Sequence, residues 1–236
     1  QTISADWSAV VVSDATLAHL DPAAIARARQ GFTERYASRI PAADIGSWDD
    51  ATFLAKARLT RDGQITRAAL LLLGADTSTH LLTPHPAQMT WKLVGQEAAY
   101  EHFGPPFLLA TSQLYQRIRN IQLRLLPDDE LLPVEVAKYD QKIVLEALHN
   151  CVAHQDYTRS ARIVVREQAD RLIFESEGGF FEGQPSDYIA GEKTPRRYRN
   201  TVLAQAMVEL NMIDTMGYGI HEMHKSQAQR YFPLPD

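Results

Sequence analysis

Three polar side chains lie four positions apart in the stretch LEALHNCVAHQDY, residues 145 to 157: Glu146, Asn150 and His154. On a helix with about 3.6 residues per turn, side chains at this spacing share one face. A carboxylate and a carboxamide at the margin of a buried face cost free energy unless a partner satisfies them. Hydrated Mg²⁺ with its phosphates is one such partner, because Mg²⁺ prefers oxygen ligands and keeps several waters. The spacing therefore permits a nucleotide site.

The same stripe also permits a purely structural interpretation. Lys142 precedes Glu146 by four positions, so the two side chains can form an ion pair on the helix surface, with Asn150 facing water. The apolar residues beside the stripe form a broad arc that would face the core: Ile143, Val144, Ala147, Leu148, Cys151 and Val152. Spacing alone favours the structural interpretation, and both remain open at this point.

Four histidines raise the question of a transition-metal site: His149, His154, His221 and His224. No cysteine or histidine spacing typical of zinc accompanies them, and His149 and His154 point to different faces of the predicted helix. The sequence therefore does not predict a transition-metal site. Cys151 lies on the apolar arc and is predicted to be a core residue.

Composition and charge narrow the class of protein. The 236 residues are 45% hydrophobic and 22% charged, which is ordinary for one large or two small globular domains. A net charge of −5 argues against a free-standing nucleic-acid binder, although KTPRRYR at 193–199 is a local basic patch. With one cysteine, no apolar run of membrane length and no signal peptide, the sequence predicts a cytoplasmic protein that does not bind membranes.

The first quarter of the chain is predicted to be helical. Asp21 is a good N-cap and Pro22 suits the first helical position, so one helix begins there. Gly31 is predicted to interrupt or end it. A second helix is predicted within SWDDATFLAKARL, capped by Ser47 or Asp49.

Helices and strands are mixed in the remaining sequence. The predicted elements are a short apolar helix in TRAALLLLG, a strand in AQMTWKLVG, a long amphipathic helix in PPFLLATSQLYQRIRNIQLRLL, a hairpin in ARIVVREQADRLIFESEGG, a helix in NTVLAQAMVELNM, and a glycine turn before a last helix in TMGYGIHEMHKSQAQRYF. This mixture predicts an α/β protein with helices on one face of a sheet. The best boundary candidate is the proline-bracketed stretch PDDELLP, 127–133.

Three segments, in order, resemble one group of bacterial and archaeal proteins. LEALHNCVAHQDY resembles their REALVNAxxHRDY, DRLIFESEGGFFEG resembles DRIEIxNPGGLPxG, and RNTVLAQAMVELNMIDTMGYGI resembles RNPxLAxxLxxLGLIExxGTGI. Upstream, LTRDGQITRAALLLLGAD is similar to the LLxDGxLTNAGLLLFGKD that precedes this region. The group is described as ATP-dependent DNA helicase-related (RecG-like) proteins or transcriptional regulators. Its members carry a divergent GHKL-type ATP-binding domain, the fold family of gyrase B, histidine kinases and MutL.

The resemblance implies an α/β (α+β) fold in two parts. An N-terminal mixed helical region, 1–127, would lead into a GHKL/Bergerat-like two-layer sandwich of helices on a mixed sheet, 133–236. A Schlafen-AlbA-like DNA-binding domain usually precedes this region and is not present in the sequence, which begins with Gln1. The implied partners are a nucleotide, DNA through that missing domain, and a second copy in a homodimer.

The resemblance also implies roles for individual residues. Glu146 would be the general base that polarises the water attacking the γ-phosphate, and Asn150 would bind Mg²⁺. His154 would lie at the nucleotide and, with Asp156 and Tyr157, order the loop after the helix. The other implied ATP-binding residues are Ser176, Gly178 and Gly179 in the first glycine box, Lys193 and Arg196 in the lid region beside Arg197 and Arg199, and Gly217 and Gly219 in the second glycine box.

The first glycine box departs from the GHKL pattern, since Ser176 and Glu177 stand where an aspartate usually receives the adenine amino group. The leading hypothesis is a Mg²⁺-dependent ATP-binding region of a DNA-linked transcriptional regulator or helicase-related protein; whether it also hydrolyses ATP is left open by the sequence. The altered box favours the alternative of a non-catalytic GHKL-like scaffold or dimerisation module of a transcription factor. A direct DNA-binding module is a third hypothesis. The sequence has no P-loop GxxxxGK[ST], so a helicase motor of the usual type is not expected.

Overall fold

The computed structural model describes residues 6–95, 97–125, 133–179 and 198–213, together with Lys225 and Gln227. Its helices and strands, in chain order, are α1 (Pro22–Tyr36), α2 (Ala42–Ser47), α3 (Asp50–Lys56), β1 (Thr60–Arg61), β2 (Gln64–Ile65), α4 (Arg67–Leu73), β3 (Met89–Leu93), β4 (Ala99–Phe103), α5 (Phe107–Arg117), β5 (Gln122–Leu125), β6 (Val134–Ala137), α6 (Gln141–His154), β7 (Ile163–Glu167), β8 (Leu172–Glu175) and α7 (Thr201–Glu209). Short 3₁₀ helices lie at Trp7–Ala9, Leu17–His19, Asp76–Leu82 and Tyr157–Arg159. The predicted class, an N-terminal helical region with helices packed on a mixed sheet, is confirmed.

Helix α1 begins as its sequence predicts and continues further. The Asp21 carboxylate accepts hydrogen bonds from the backbone N–H groups of Ala23 and Ala24, at 2.7 and 3.0 Å. The prediction that Gly31 interrupts or ends the helix is wrong, because the helix runs on to Tyr36. A Cβ atom on Gly31 would lie 2.2 Å from the carbonyl oxygen of Leu210. The glycine therefore permits close packing of the chain after α7 against α1.

The next helices have the predicted termini. Asp49, one of the two predicted caps, accepts from the backbone N–H of Thr52 at 2.8 Å at the start of α3. Helix α4 is capped by the Thr66 hydroxyl and ends at Gly74. All of its residues after the first are buried, which explains why its sequence is almost wholly apolar.

Strands β3, β4, β7 and β8 form a mixed sheet in the order β4-β3-β7-β8. Strand β3, predicted from its alternation, pairs antiparallel with β4 and parallel with β7, while β7 and β8 form the predicted hairpin. Trp91 and Val165 are neighbours in the register and are buried, whereas Lys92 and Tyr100 are exposed on the other face. Helices α5 and α6 pack against this sheet.

The long helix predicted over PPFLLATSQLYQRIRNIQLRLL is shorter than expected. Helix α5 ends at Arg117, and residues 122–125 form strand β5, which pairs antiparallel with β6. Asn120 stabilises this change of direction: its carboxamide accepts from the Tyr139 N–H at 2.9 Å and donates to the Tyr139 carbonyl at 2.7 Å. Pairing with distant residues therefore overrides the helical periodicity of the segment.

The sheet joins the two sides of the predicted boundary at 127–133. Strands β3 and β4 precede it, β7 and β8 follow it, and all four contribute to one hydrophobic core. Residues 126–132 lie outside the described ones, and a division of the chain there stays a prediction. Within the described ranges, no helix combines the length and hydropathy needed to cross a bilayer.

Candidate functional site

Helix α6 carries the polar stripe that the sequence singles out. Its N-terminus is capped by Asp140, which accepts from the backbone N–H groups of residues 142 and 143. Val144, Leu148 and Val152 are buried on the core side. Glu146 and Asn150 are partly buried, and the Asn150 Nδ2 donates to the Glu146 Oε1 at 3.3 Å. The helix and its polar margin are as predicted, and the two predicted site residues contact each other.

Glu146 and Asn150 both carry side-chain oxygen atoms, the kind of ligand that hard cations prefer. Because Asn150 donates to Glu146 through its nitrogen, its carbonyl oxygen can face a cation. Mg²⁺ takes oxygen donors and, at phosphate sites, needs only one or two protein ligands beside water and phosphate. The donor set therefore fits Mg²⁺. Among the described residues, no three His, Cys, Asp or Glu side chains come together as a metal cage.

The two histidines of α6 point in different directions, as predicted. His149 Nδ1 lies 2.9 Å from the Met212 carbonyl oxygen and its Nε2 lies 3.3 Å from the Thr111 hydroxyl. Burial lowers the pKa of His149 to about 4, so the neutral ring bridges three elements at neutral pH. His154 is exposed, with its ring 5.7 Å from that of Tyr198; local desolvation, then the Arg199 guanidinium, lowers its pKa.

Cys151 follows Asn150 and is partly buried in the hydrophobic core, as its place on the apolar arc predicts. Burial raises the pKa of its thiol to about 11, and the neighbouring Ser176 hydroxyl offsets this only in part. The thiol is therefore protonated and poorly nucleophilic at neutral pH. The contact between Cys151 and Ser176 also puts the end of β8, where the first glycine box begins, beside the second half of α6.

The loop after α6 holds the first glycine box by its backbone. Gln155 is fully buried; its Oε1 accepts from the Glu177 N–H at 2.8 Å, and its Nε2 donates to the Ala161 carbonyl at 2.8 Å. The Asp156 N–H donates to the Glu177 carbonyl at 2.8 Å. Both backbone groups of Glu177 are thus fixed by residues 155 and 156, immediately before the glycines.

A cluster of charged side chains also joins the loop after α6 to the first glycine box. Arg199 donates to the Asp156 Oδ2 at 2.8 Å and to the Gly179 carbonyl at 3.2 Å. Desolvation of Asp156 is outweighed by hydrogen bonds from Thr158 and by the guanidiniums of Arg199 and Arg159, so its pKa is lowered. Arg199, at the end of the predicted lid region, thus binds both Asp156 and the glycine box.

Gly178 lies against this pair with a φ of +103°. A Cβ atom there would be 3.1 Å from the Arg199 guanidinium and 3.2 Å from the Asp156 Cβ. Gly178 therefore meets two requirements, a left-handed backbone and a close approach of side chains. Among the described residues, none has an atom within 4 Å of such a Cβ atom on Gly179.

Asn200 and Tyr157 fix the C-terminal turn of α6. The buried Asn200 side chain donates to the carbonyls of Ala153 and Gln155, at 3.1 and 2.8 Å. The Tyr157 hydroxyl donates to the Val152 carbonyl at 2.7 Å. Carbonyls at a helix C-terminus lack partners within the helix, and these side chains supply them. The expectation that Asp156 and Tyr157 order this loop agrees with their hydrogen bonds.

The structure brings part of the predicted site together. The predicted site residues that lie on α6, at its C-terminus or in the adjoining glycine box are Glu146, Asn150, His154, Ser176, Gly178 and Gly179. Lys193, Arg196, Gly217 and Gly219 lie outside the described residues. Sequence reasoning did not identify Gln155 or Asn200 as connecting residues. The amide side chains of Gln155 and Asn200 are visible in the sequence, but a single amide side chain is equally typical of an exposed loop.

Comparisons with known proteins cover two separate parts of the chain. Residues 160–236 match the family described as "Putative ATP-dependent DNA helicase recG C-terminal". Residues 1–89 match the family described as "Domain of unknown function (DUF8451)". The C-terminal part is therefore related to the RecG C-terminal family, whose matched range begins after Glu146 and Asn150. No curated protein matches the chain.

A solved structure shares the fold. The crystal structure of the DIP2311 protein from Corynebacterium diphtheriae superposes with a TM-score of 0.71 at 23% sequence identity. The superposition covers 98% of this chain and 44% of that protein, so the chain spans less than half the length of its structural relative. At this identity the similarity establishes the fold and leaves the activity to be inferred from the site.

Proposed function

We propose that the chain contains a Mg²⁺-dependent ATP-binding site with ATPase activity, within a DNA-linked regulator or helicase-related protein. The observation that carries the proposal is the contact between Asn150 and Glu146 on the partly buried margin of α6, at 3.3 Å. The match of residues 160–236 to the RecG C-terminal family supports the nucleotide as the ligand. The glycine box held beside the end of α6 supports a backbone surface that a phosphate or base can approach.

The two residues of this contact have distinct roles in the proposed reaction. Glu146 accepts a proton from the attacking water, since a carboxylate within hydrogen-bond reach of a water acts as a general base. Asn150 restrains the Glu146 carboxylate through its nitrogen and offers its carbonyl oxygen as the protein ligand for Mg²⁺. The cation, when bound, would offset the charge of the phosphates. We further propose that His154, Ser176, Gly178, Gly179, Lys193, Arg196, Gly217 and Gly219 surround the nucleotide.

A nucleotide titration tests the proposal directly. Isothermal titration calorimetry with ATP should show saturable binding that tightens when Mg²⁺ is added, and the same mixture should raise the melting temperature, because a ligand of the folded state stabilises it. ADP, GTP and inorganic phosphate serve as comparison ligands. Absence of binding and of a melting shift at millimolar ATP with Mg²⁺ would overturn the proposal.

One observation favours a second function, a non-catalytic scaffold or dimerisation module. The first glycine box has Ser176 and Glu177 where an aspartate usually receives the adenine amino group. The Glu177 carboxylate instead pairs with Arg159 at 3.3 Å, and the Glu177 backbone groups are hydrogen-bonded to residues 155 and 156. Under this function the fold persists without nucleotide turnover. Concentration-dependent dimerisation in sedimentation, without any response to ATP, would support it over the ATPase.

A further inference from the structure

The N-terminus of α7 is capped by residues from the opposite end of the chain. Asn200, which precedes the helix, makes no capping hydrogen bond with its side chain. Instead the Val202 N–H donates to the Asp6 Oδ2 at 2.9 Å, and the Leu203 N–H donates to the Ser8 hydroxyl at 3.0 Å. The first N–H groups of a helix have no partner within it, so a distant segment supplies what a local cap usually provides.

The capping atoms are arranged before they reach the helix. The Asp6 Oδ1 accepts from both the backbone N–H and the hydroxyl of Ser8, at 2.9 and 2.6 Å. With its proton given to Asp6, the Ser8 hydroxyl presents a lone pair to Leu203. Ser8 is fully buried and Asp6 is partly buried, so water competes weakly for these bonds.

Trp7 connects the same segment to the loop after α6. Its ring stacks on that of Tyr157 with centroids 4.6 Å apart and an interplanar angle of 15°, and the Arg67 guanidinium lies 5.1 Å from the centroid of the Trp7 ring. The Tyr157 hydroxyl in turn holds the Val152 carbonyl in the last turns of α6. One tripeptide thus contacts both the loop that follows Glu146 and Asn150 and the helix that follows Arg199.

We infer that the segment Asp6–Ser8 is a positioning element of the nucleotide site, and that its docking and nucleotide binding favour each other. The inference rests on the proposed function. Through Tyr157 the segment fixes the end of α6, and through α7 it fixes Arg199, which binds Asp156 and the Gly179 carbonyl. If the docked segment increases nucleotide affinity, the nucleotide must increase docking by the same factor, because binding free energies are linked reciprocally.

Substitution of Asp6 tests the inference in the full chain. Asp6→Ala removes the acceptor for Val202 and both bonds to Ser8, and it should raise the Kd for ATP with Mg²⁺ by about fivefold or more. Asp6→Asn keeps one accepting oxygen, but its amide nitrogen must face a donor of Ser8 or Val202, so it should restore the affinity only in part. Asp14→Ala is the matched control: this carboxylate is exposed and accepts a long hydrogen bond from the adjacent Ser13 hydroxyl, at 3.4 Å, so affinity should not change.

Hydrogen exchange in the unaltered protein separates positioning from simple stabilisation. The amides of Val202 and Leu203 should exchange more slowly with ATP and Mg²⁺ than without, and more slowly by a larger factor than the amides of α1. This measurement needs no variant and remains informative if Asp6→Ala does not fold.

The outcomes distinguish this inference from the function on which it rests. If the unaltered protein does not bind ATP, the proposed function fails first. If it binds ATP, but Asp6→Ala binds within twofold of it and the two amides do not respond to nucleotide, the positioning role is wrong and the nucleotide site stands. A raised Kd in Asp6→Ala that Asp6→Asn restores in part, together with slower exchange, supports the inference.

Discussion

The carboxamide of Asn150 limits how the Glu146 carboxylate can be oriented. One of its N–H groups donates to the Glu146 Oε1 across a single helical turn, and both residues lie where the core gives way to the surface. A half-buried carboxylate with a fixed neighbour loses little entropy when it orients a water, because the reacting group is already held in place. The proposed role of Glu146 as a general base depends on this restraint.

Substitution of Glu146 tests its proposed role as the base. Glu146→Gln keeps the size of the side chain and the acceptor for Asn150, but it removes the base. We expect ATP hydrolysis to fall by about 100-fold or more, the usual contribution of a general base, with the Kd for ATP nearly unchanged. Phosphate release and calorimetry measure the two quantities.

Glu97→Gln is the control for Glu146→Gln, because Glu97 is exposed in the turn between β3 and β4. Its turnover should equal that of the unaltered protein. Equal turnover in Glu146→Gln would exclude Glu146 as the base, while loss of binding together with turnover would assign it to binding instead.

Helices α1 and α7 are joined both by a close approach of the backbone and by a side-chain hydrogen bond. Gly31 lies under the carbonyl of Leu210, and Tyr36, near the C-terminus of α1, hydrogen-bonds to Glu209 at the C-terminus of α7. Such contact fixes the distance between the two helices, since a backbone carbonyl cannot move aside as a flexible side chain can. The position of α7, and with it Arg199, depends on this glycine.

At the scale of elements we therefore compare two helical glycines. Gly31→Ala should lower the free energy of unfolding by about 1–3 kcal/mol, because overpacking outweighs the better helix propensity of alanine. Gly46→Ala in α2, where no atom of the described part of the chain lies within 4 Å of the added Cβ, should raise the free energy of unfolding by up to about 1 kcal/mol. Urea unfolding measures both, and a stabilised Gly31→Ala protein would contradict the packing argument.

Elements with a local cause could be predicted from the sequence. Asp21, Asp49 and Gly74 mark helix ends through bonds to their own neighbours, and the alternation in β3 and the hairpin follows from the two faces of a sheet. The failures have distant causes. A glycine is needed at position 31, within α1, because the Leu210 carbonyl lies against it. Helix α5 ends early because the residues that follow it pair as β5 with β6.

In the candidate site, too, features with a local cause could be predicted and features with a distant cause could not. The spacing of Glu146 and Asn150 is a property of one helix, so their contact could be anticipated from the sequence. Gln155 and Asn200 act on carbonyls and amides that adjoin them only in the folded chain. No local pattern encodes which backbone group a buried amide will find, so these roles could not be predicted.

At the scale of the whole molecule, the buried His85 and the partly buried His149 connect stability to pH. His149 bridges α6 to Met212 and Thr111, and His85 lies against the rings of Trp7 and Tyr157. Burial lowers the pKa of each to about 4. Protonating either ring in the folded state would leave a charge in an apolar setting.

We expect the protein to be less stable in mild acid. Unfolded histidine binds its proton near pH 6.5 and these two rings near pH 4, so the unfolded state holds more protons between those values. Stability that is complete above pH 6.5 is lost as the pH falls towards 4, by up to about 3 kcal/mol for each ring. Urea unfolding at about pH 7.5 and about pH 5 measures the loss.

His149→Gln tests the assignment of this loss to one ring. The variant should be less stable than the unaltered protein at neutral pH, because it fits its hydrogen-bond partners less well. The difference between the two proteins should narrow as the pH falls, since only the histidine gains a proton. A difference that is constant with pH would mean that His149 does not contribute to the acid sensitivity.

The cap that Asp6 and Ser8 place on α7 also has a consequence for synthesis of the chain. The residues that this cap joins are separated by almost 200 positions, and a ribosome produces Val202 and Leu203 long after Asp6 has emerged. The helices from α1 to α4 can form early, whereas the Asp6 Oδ2 and the Ser8 hydroxyl wait for Val202 and Leu203, and the Trp7 ring waits for Tyr157 to stack on it. The fold is therefore completed late, and an unfinished chain exposes an apolar ring that a chaperone can bind.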